Sequence, residues 1–287
     1  MSIEIADIAR VADQAEIIAG LPAVEYHRDK SRVSASDLQA IDVSPLQYRH
    51  QRSIEKKGDE LDVGAATHMA IFEPNRFKHH VVVYDGKVRR GKYWEEFSAS
   101  RCNNLILTPS QYNTVCRMSS AVRKHPIASR LIQGGNPEVT IHWVHRSGVR
   151  MKSRIDYLSP FSVVELKTTR DASEDAFGRA CVRYRYPIQF AVYTDAVSCA
   201  FGEYRQMYVI AVEKLRPHHV AVYMVPIEII MIGRERYERA LRVLAECKKT
   251  DSWPGLAGDE IRVLQLPAWA IDDHEMELEF EGEHLRF

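Results

Sequence analysis

The sequence predicts a mixed α/β protein built on one central sheet with helices around it. Three observations carry that reading. Residues 139–144, 149–158 and 161–166 are β-rich runs joined by short turns; two helix-like stretches follow directly; and two more strands precede a long amphipathic segment. Helices, a β-meander, helices, two strands and a helix, in that order, make an α/β (α+β) core with a mixed sheet flanked by helices.

The elements follow in chain order. Residues 1–20 read as a helix, with Ile5, Ile8, Val11, Ala12 and Ile18 roughly on one face and Leu21-Pro22 ending it. Ser34 and Ser44 are N-cap residues before two short helices, the second carrying Pro45 at its first position. Residues 64–72 are small and apolar almost all round and read as a buried helix. Residues 80–84 form a short strand and 87–92 a loop, and residues 109–125 are helical, stopped by Pro126. After the meander come helices over 173–181 and 188–200, strands over 206–212 and 219–225, and a helix over 227–247. With no internal repeat or low-complexity linker, the expected organisation is an N-terminal helical extension (1–21), one domain (22–270) and an acidic C-terminal tail (271–287).

Composition narrows the function classes. No run approaches the roughly 18 apolar residues of a membrane span, and Met1–Asp7 lacks a basic leader. The five cysteines (102, 116, 181, 199 and 247) are scattered, with no C-x-x-C pair. A disulfide framework and a cysteine zinc knuckle are therefore unexpected, and a reducing cytoplasm fits. The 39 Lys and Arg balance 39 Asp and Glu, which on its face disfavours nucleic acid. Residues 272–287 hold seven acidic side chains against Arg286, however, so the other residues carry 38 basic and 32 acidic groups. The balance is a basic body cancelled by an acidic tail, which is either a solvated terminus or a segment docking on a basic surface of its own or a neighbouring subunit.

The chemistry centres on Asp156 and Glu165-Leu166-Lys167. Asp156 closes one β-rich run, and Glu165 and Lys167 end the next, on one side of their strand by alternation. Two carboxylates converging at strand ends make a hard-oxygen site for Mg²⁺, with Mn²⁺ as a substitute. A lysine two residues on can hold or deprotonate the attacking water, an arrangement suited to phosphodiester hydrolysis. The bare pattern also arises as solvated strand-edge charges; neighbours sharpen it. Gln189 and Tyr193 share a helix face at i, i+4. Arg183-Tyr184-Arg185 suits phosphate contacts and stacking, and His68 lies in an otherwise apolar run with Glu73 five residues on. Lys87, Arg89, Arg90 and Lys92 are either a solvated loop or a loop tracking the DNA backbone.

Taken together, these residues resemble the PD-(D/E)XK nuclease superfamily, in the branch of RecB-type and lambda-exonuclease-type nucleases. The flanking words Gly64-Ala-Ala-Thr-His68, Phe72-Glu-Pro74, Glu165-Leu-Lys-Thr-Thr169, Tyr184-Arg-Tyr186 and Asp251-Ser-Trp-Pro254 are similar to RecE-type (exodeoxyribonuclease VIII) nuclease domains. Tyr26-His27, Ser44-Pro45 and the words around Trp269 extend the likeness over about residues 25–270. The resemblance implies that Asp156, Glu165, the Leu166 carbonyl and His68 ligate the metal. It implies that Lys167 positions water, that Gln189 holds nucleophile or phosphate, and that Glu73 and Tyr193 support them. It further implies a 5′-to-3′ exonuclease on linear duplex DNA ends, leaving 3′ overhangs for recombination. A ring-shaped homo-oligomer, a single-strand annealing recombinase partner and a phage or prophage setting come with that implication. Two positions depart from the pattern: Ile155 replaces the usual Pro, and Glu165 stands where RecE-type domains have Asp. Relatives with an iron–sulfur cluster need a late cluster of three cysteines, which Cys181, Cys199 and Cys247 do not make. The rival readings are a structure-specific or single-strand nuclease on the same fold, and a non-catalytic DNA-binding or recombinase-partner module.

Overall fold

Residues 163–166 and 207–212 alternate between two buried sets of side chains, so the strands that carry them must be covered on both faces. The rest of the architecture supplies those two covers. The computed structural model describes residues 15–54, 59–86, 88–102, 104–256, 258, 260–266, 277–280 and 283–286.

The chain begins with strand β1 (Ala15–Ile18), then helices α1 (Ala23–Arg28), α2 (Ala35–Val43), α3 (Pro45–Ser53), α4 (Asp59–Phe72) and α5 (Pro74–His80). Strand β2 (Val81–Val83), helix α6 (Lys92–Ser100), strand β3 (Leu105–Leu107) and helices α7 (Pro109–Lys124) and α8 (Pro126–Leu131) follow. The meander is β4 (Asn136–Val144), β5 (Arg150–Leu158) and β6 (Ser162–Thr169). Helices α9 (Glu174–Arg183) and α10 (Tyr186–Phe201) cross over to β7 (Gln206–Glu213), β8 (Val220–Met224) and α11 (Ile227–Thr250). The main sheet runs β1-β4-β5-β6-β7-β8, antiparallel throughout except for the parallel pair β6/β7 that α9 and α10 connect.

Local chemistry explains the boundaries. Ser34 caps α2 in a reciprocal box with Asp37, and Ser44 caps α3 through the Gln47 amide at 3.1 Å. The β5–β6 turn is tied by Ser159, whose hydroxyl accepts from the amides of Phe161 and Ser162 at 3.2 and 3.0 Å. Pro126 ends α7 as expected but also opens α8, with the His125 side chain accepting from the Ala128 amide at 3.2 Å.

Two expectations are corrected. The helix predicted over 1–20 does not include its last residues, because β1 pairs with the otherwise open edge of β4, from Ala15↔Trp143 to Ile18↔Thr140. An exposed edge of unpaired amides outweighs a weak helical pattern; residues 1–14 lie outside the described residues. The segment 64–72 is also not buried all round: Ala66, Met69 and Ala70 are buried, but Gly64, Ala65 and His68 border an open cleft. Helices α1, α5, α6 and α8 and strand β3 were not anticipated; each is nine residues or shorter, too short for periodicity to show.

Two buried clusters cover the sheet. Ile141, Met151, Val163, Met207 and Val209 pack with α2, α10 and α11, while Val164, Leu166, Ile210 and Val212 pack with α4, α5, α7 and α8. Helices α10 and α11 meet at Gly233, where an added Cβ would lie 1.9 Å from the Pro187 carbonyl oxygen. The chain divides into two units, residues 1–253 and 254–287. In the second, β9 (Glu277–Phe280) and β10 (Glu283–Arg286) form an antiparallel hairpin from the acidic tail.

Candidate active site

The meander register sets the site. The turn at 145–149, closed by His145 donating to the Val149 carbonyl at 2.9 Å, makes Glu138 the position facing Asp156 across β4/β5. Glu138 itself has φ 53°, a left-handed conformation costly for a non-glycine residue, and the pairing lapses there. On the other side β5 and β6 pair only at Tyr157↔Val164 and Leu158↔Val163. One step further Asp156 would face Glu165, but the strands part. Three carboxylates thus stand in one row across a rift in the sheet.

The rift is reached from both helix layers. From α4, His68 approaches Asp156, Nδ1 to Oδ2 at 3.3 Å, and the Leu166 amide donates to the same oxygen at 2.8 Å. Ligand atoms of His68, Glu138 and Asp156 all lie within 4.8 Å of one another. From α10, Gln189 joins the other half. Its Oε1 accepts from Lys167 Nζ at 2.8 Å, and its Nε2 donates to Glu165 Oε1 at 2.9 Å and to the Tyr193 hydroxyl at 3.0 Å. Lys167 Nζ also donates to Glu165 Oε1 at 2.5 Å and sits 4.4 Å from the centre of the Tyr186 ring.

The electrostatics follow from crowding. Burial and then the Asp156 charge push the Glu165 carboxyl up to about 7, against the pull of Lys167. Burial would lower the His68 imidazole, but the charge and hydrogen bond of Asp156 outweigh it and lift it to about 9. Asp156 is held low despite burial, chiefly by His68 and then Lys167 and the Leu166 amide. Burial and Asp156 raise Glu138, although Arg154 is its ion-pair partner.

A divalent cation fits this donor set. Glu165 Oε2 is buried with no hydrogen-bond partner, a costly state for a carboxylate oxygen unless a ligand takes it. Across the rift stand Asp156, Glu138 and His68, a hard set with one borderline nitrogen.

Sequence-predicted residues fall into three groups. Asp156, Glu165, Lys167, Gln189, Tyr193, His68 and the Leu166 backbone come together. Arg183 and Tyr184 line the adjoining cleft, of about 1200 Å³, with the Arg183 guanidinium 5.7 Å over the Tyr184 ring. Glu73 lines it too, but its carboxylate pairs with Arg76 at 2.9 Å and lies outside the ligand cluster. The third group is elsewhere. Arg185 lies apart from the cleft: its guanidinium pairs with Asp42 at 2.9 Å. Arg89 donates to the Ile106 carbonyl and to Gln111, and Lys92 opens α6 at 3.8 Å from Glu96. Neither borders the cleft, nor does the exposed Arg90; Lys87 lies outside the described residues.

Glu138 was missed, as were Tyr186 and the cleft cations Arg76, Arg154, Arg170, Arg179 and Lys214. For Glu138 a signal existed: counting back from the Gly148 turn puts it opposite Asp156. The cations come from five separate elements and loops, so no local pattern announces them.

Residues 34–263 match the family described as "PDDEXK-like domain of unknown function (DUF3799)". The chain belongs to this family. Among solved structures, a protein from Eubacterium rectale described as a "putative exonuclease" aligns with a TM-score of 0.63 at 14% identity. The alignment covers 89% of this chain and 98% of that one, and shows that the PDDEXK-like fold is shared. A second solved structure, of SSO0001, reaches a TM-score of only 0.29 at 15% identity over 74% of this chain and 91% of that one, too low to count towards the fold. No curated protein matches the chain. The PDDEXK-like fold is that of a nuclease superfamily that usually uses divalent metals, and no described helix is long and apolar enough to cross a membrane.

Proposed function

We propose that this PDDEXK-like protein is a Mg²⁺-dependent exodeoxyribonuclease of the RecE type. It degrades linear duplex DNA from its ends, 5′ to 3′, and leaves 3′ overhangs. The observation that carries the nuclease reading is the cluster of His68, Glu138 and Asp156 at the parting of β5 and β6, with Glu165 one register step across and Lys167 held beside Glu165 by Gln189. The polarity, the ring-shaped oligomer and the recombinase partner rest on the resemblance of the sequence words to RecE-type domains, and a cytoplasmic setting rests on the scattered cysteines.

Asp156, Glu165, His68 and Glu138 would hold the cation, with the Leu166 carbonyl completing the set. When bound, it supplies Lewis acidity and offsets charge on the scissile phosphate. Lys167, a half-buried cation with its hydrogens directed by Glu165 and Gln189, donates to the attacking water and orients it. Tyr186 keeps the ammonium in place from the far side. Arg170, Arg179, Arg183 and Lys214 line the cleft and draw the phosphodiester backbone towards the rift, and the exposed Tyr184 ring offers a stacking surface.

The test is incubation with Mg²⁺ and matched linear, nicked-circular, closed-circular and single-stranded DNA. Loss of the linear duplex alone, with mononucleotides released from 5′-labelled ends first, is the expected result. Rapid loss of closed circles would replace the exonuclease with an endonuclease.

A further inference from the structure

Outside the cleft, the side chain of Asp42, at the end of α2, is almost fully buried at 1% exposed, and three arginines converge on it. Arg185 from the start of α10 meets Oδ2 at 2.9 Å, Arg236 of α11 meets the same oxygen at 3.2 Å, and Arg239 of α11 meets Oδ1 at 3.1 Å. Neither Arg236 nor Arg239 has a second carboxylate partner among the described residues. Three positive charges against one negative leave a fixed surplus of two. Joining α2, α10 and α11 needs only one such pair; a third guanidinium adds like-charge repulsion. Their exposure rises outward, from 28% for Arg185 to 33% and 59% for Arg236 and Arg239, so the surplus charge faces solvent.

The cluster begins two residues from the cleft. Arg183 lines the cleft, and Arg185, two residues on, belongs to the Asp42 cluster. The backbone there is pinned as well: Arg185 has φ 57°, and Gln39 donates to its carbonyl at 3.1 Å. A rigid fork of guanidiniums anchored by a buried carboxylate matches phosphate oxygens, which accept two parallel N–H bonds.

We infer that Arg185, Arg236 and Arg239, organised by Asp42, form a second DNA contact that seats backbone phosphates of the substrate duplex beyond the cleft. The identity of the anion as DNA rests on the nuclease reading. Asp42 is a positioning residue; the arginines make the contact. The contact adds affinity only for DNA long enough to leave the cleft, and it has no part in the bond cleavage.

The experiment measures binding of fluorescein-labelled duplexes by the full chain in EDTA, where no cleavage occurs. One duplex is of about 40 base pairs and one of about 8, each titrated at several salt concentrations. The variant R236Q/R239Q is expected to bind the long duplex about tenfold more weakly, with the log–log salt slope reduced by about 2, and the short duplex as the parent does. Unchanged affinity and slope on the long duplex would overturn the inference. So would an equal loss on both lengths, which would mean that the cleft or the fold was damaged. Should the double variant unfold, Arg239→Gln alone is expected to reduce the slope by about 1 on the long duplex only. Because binding is read without metal, failure of the parent to cleave any DNA would count against the nuclease reading and leave this result standing.

Discussion

On the α10 side of the rift, Glu165 Oε1, Lys167, Gln189 and Tyr193 form a closed chain of hydrogen bonds. On the α4 side, ligand atoms of His68, Asp156 and Glu138 lie within 4.8 Å of one another, and across from them Glu165 Oε2 is buried with no hydrogen-bond partner. The difference shows a division of labour within one row of carboxylates. The first half satisfies its own donors and acceptors; the second leaves Glu165 Oε2 without a partner and is where, on the proposed function, a cation would sit. Glu165 belongs to both, one oxygen to each.

The sharpest way to break this comparison is to remove one half at a time. Lys167→Ala is expected to lower Mg²⁺-dependent cleavage of linear DNA by about 10³-fold while leaving Mg²⁺ affinity within about threefold. Asp156→Asn is expected to abolish both, read by cleavage rate and calorimetric titration. A Lys167→Ala variant as active as the parent would remove the lysine from the mechanism. Next in size, Glu138→Gln is expected to weaken metal binding about 10–100-fold, whereas Glu73→Gln, whose partner is Arg76, changes it little. The reverse order would give the ligand role to Glu73.

A third substitution tests the support beneath the α10 half. Gly233→Ala drives a methyl into the Pro187 carbonyl, just before Gln189 in α10. It is expected to cost about 2 kcal/mol of stability, seen as a drop of a few degrees in Tm. The smallest effect concerns pH. In metal-free protein Glu165 is lifted from an ordinary 4.5 to about 7 and His68 from 6.5 to about 9. A raised folded pKa means that the folded state holds protons longer than the unfolded state, so stability falls as pH rises through each window. The folded protein in EDTA should therefore lose Tm between about pH 5 and 9. A saturating divalent ion, which favours the deprotonated groups, should widen its stabilising increment over the same range. A Tm increment that shrinks with rising pH would show that these groups do not meet the cation.

The α10 half was legible in the sequence because its members lie on two elements with regular periods. Glu165 and Lys167 share a strand side at spacing two, and Gln189 and Tyr193 share a helix face at spacing four. The α4 half was legible only in part. His68 stood out as a lone imidazole in an apolar run, but Glu138 lies just before the β-rich run that begins at 139, and its place opposite Asp156 depends on a register set by a turn ten residues away. The position of Arg185 was illegible for a related reason. Its neighbours Arg183 and Tyr184 line the cleft, yet a left-handed residue at the start of α10 turns its side chain towards Asp42.

The sequence by itself determined the α/β order, the main caps and strands, the acid–acid–lysine set on the two middle strands, and the basic body behind a net charge of zero. These depend on local period and on composition, which the chain carries residue by residue. It took the tertiary structure to settle that β5 and β6 part at the acids, that Glu138 faces Asp156, and which arginines face the cleft and which gather on Asp42. Those outcomes depend on where separate elements come to rest against one another, and that is set by packing across the whole sheet.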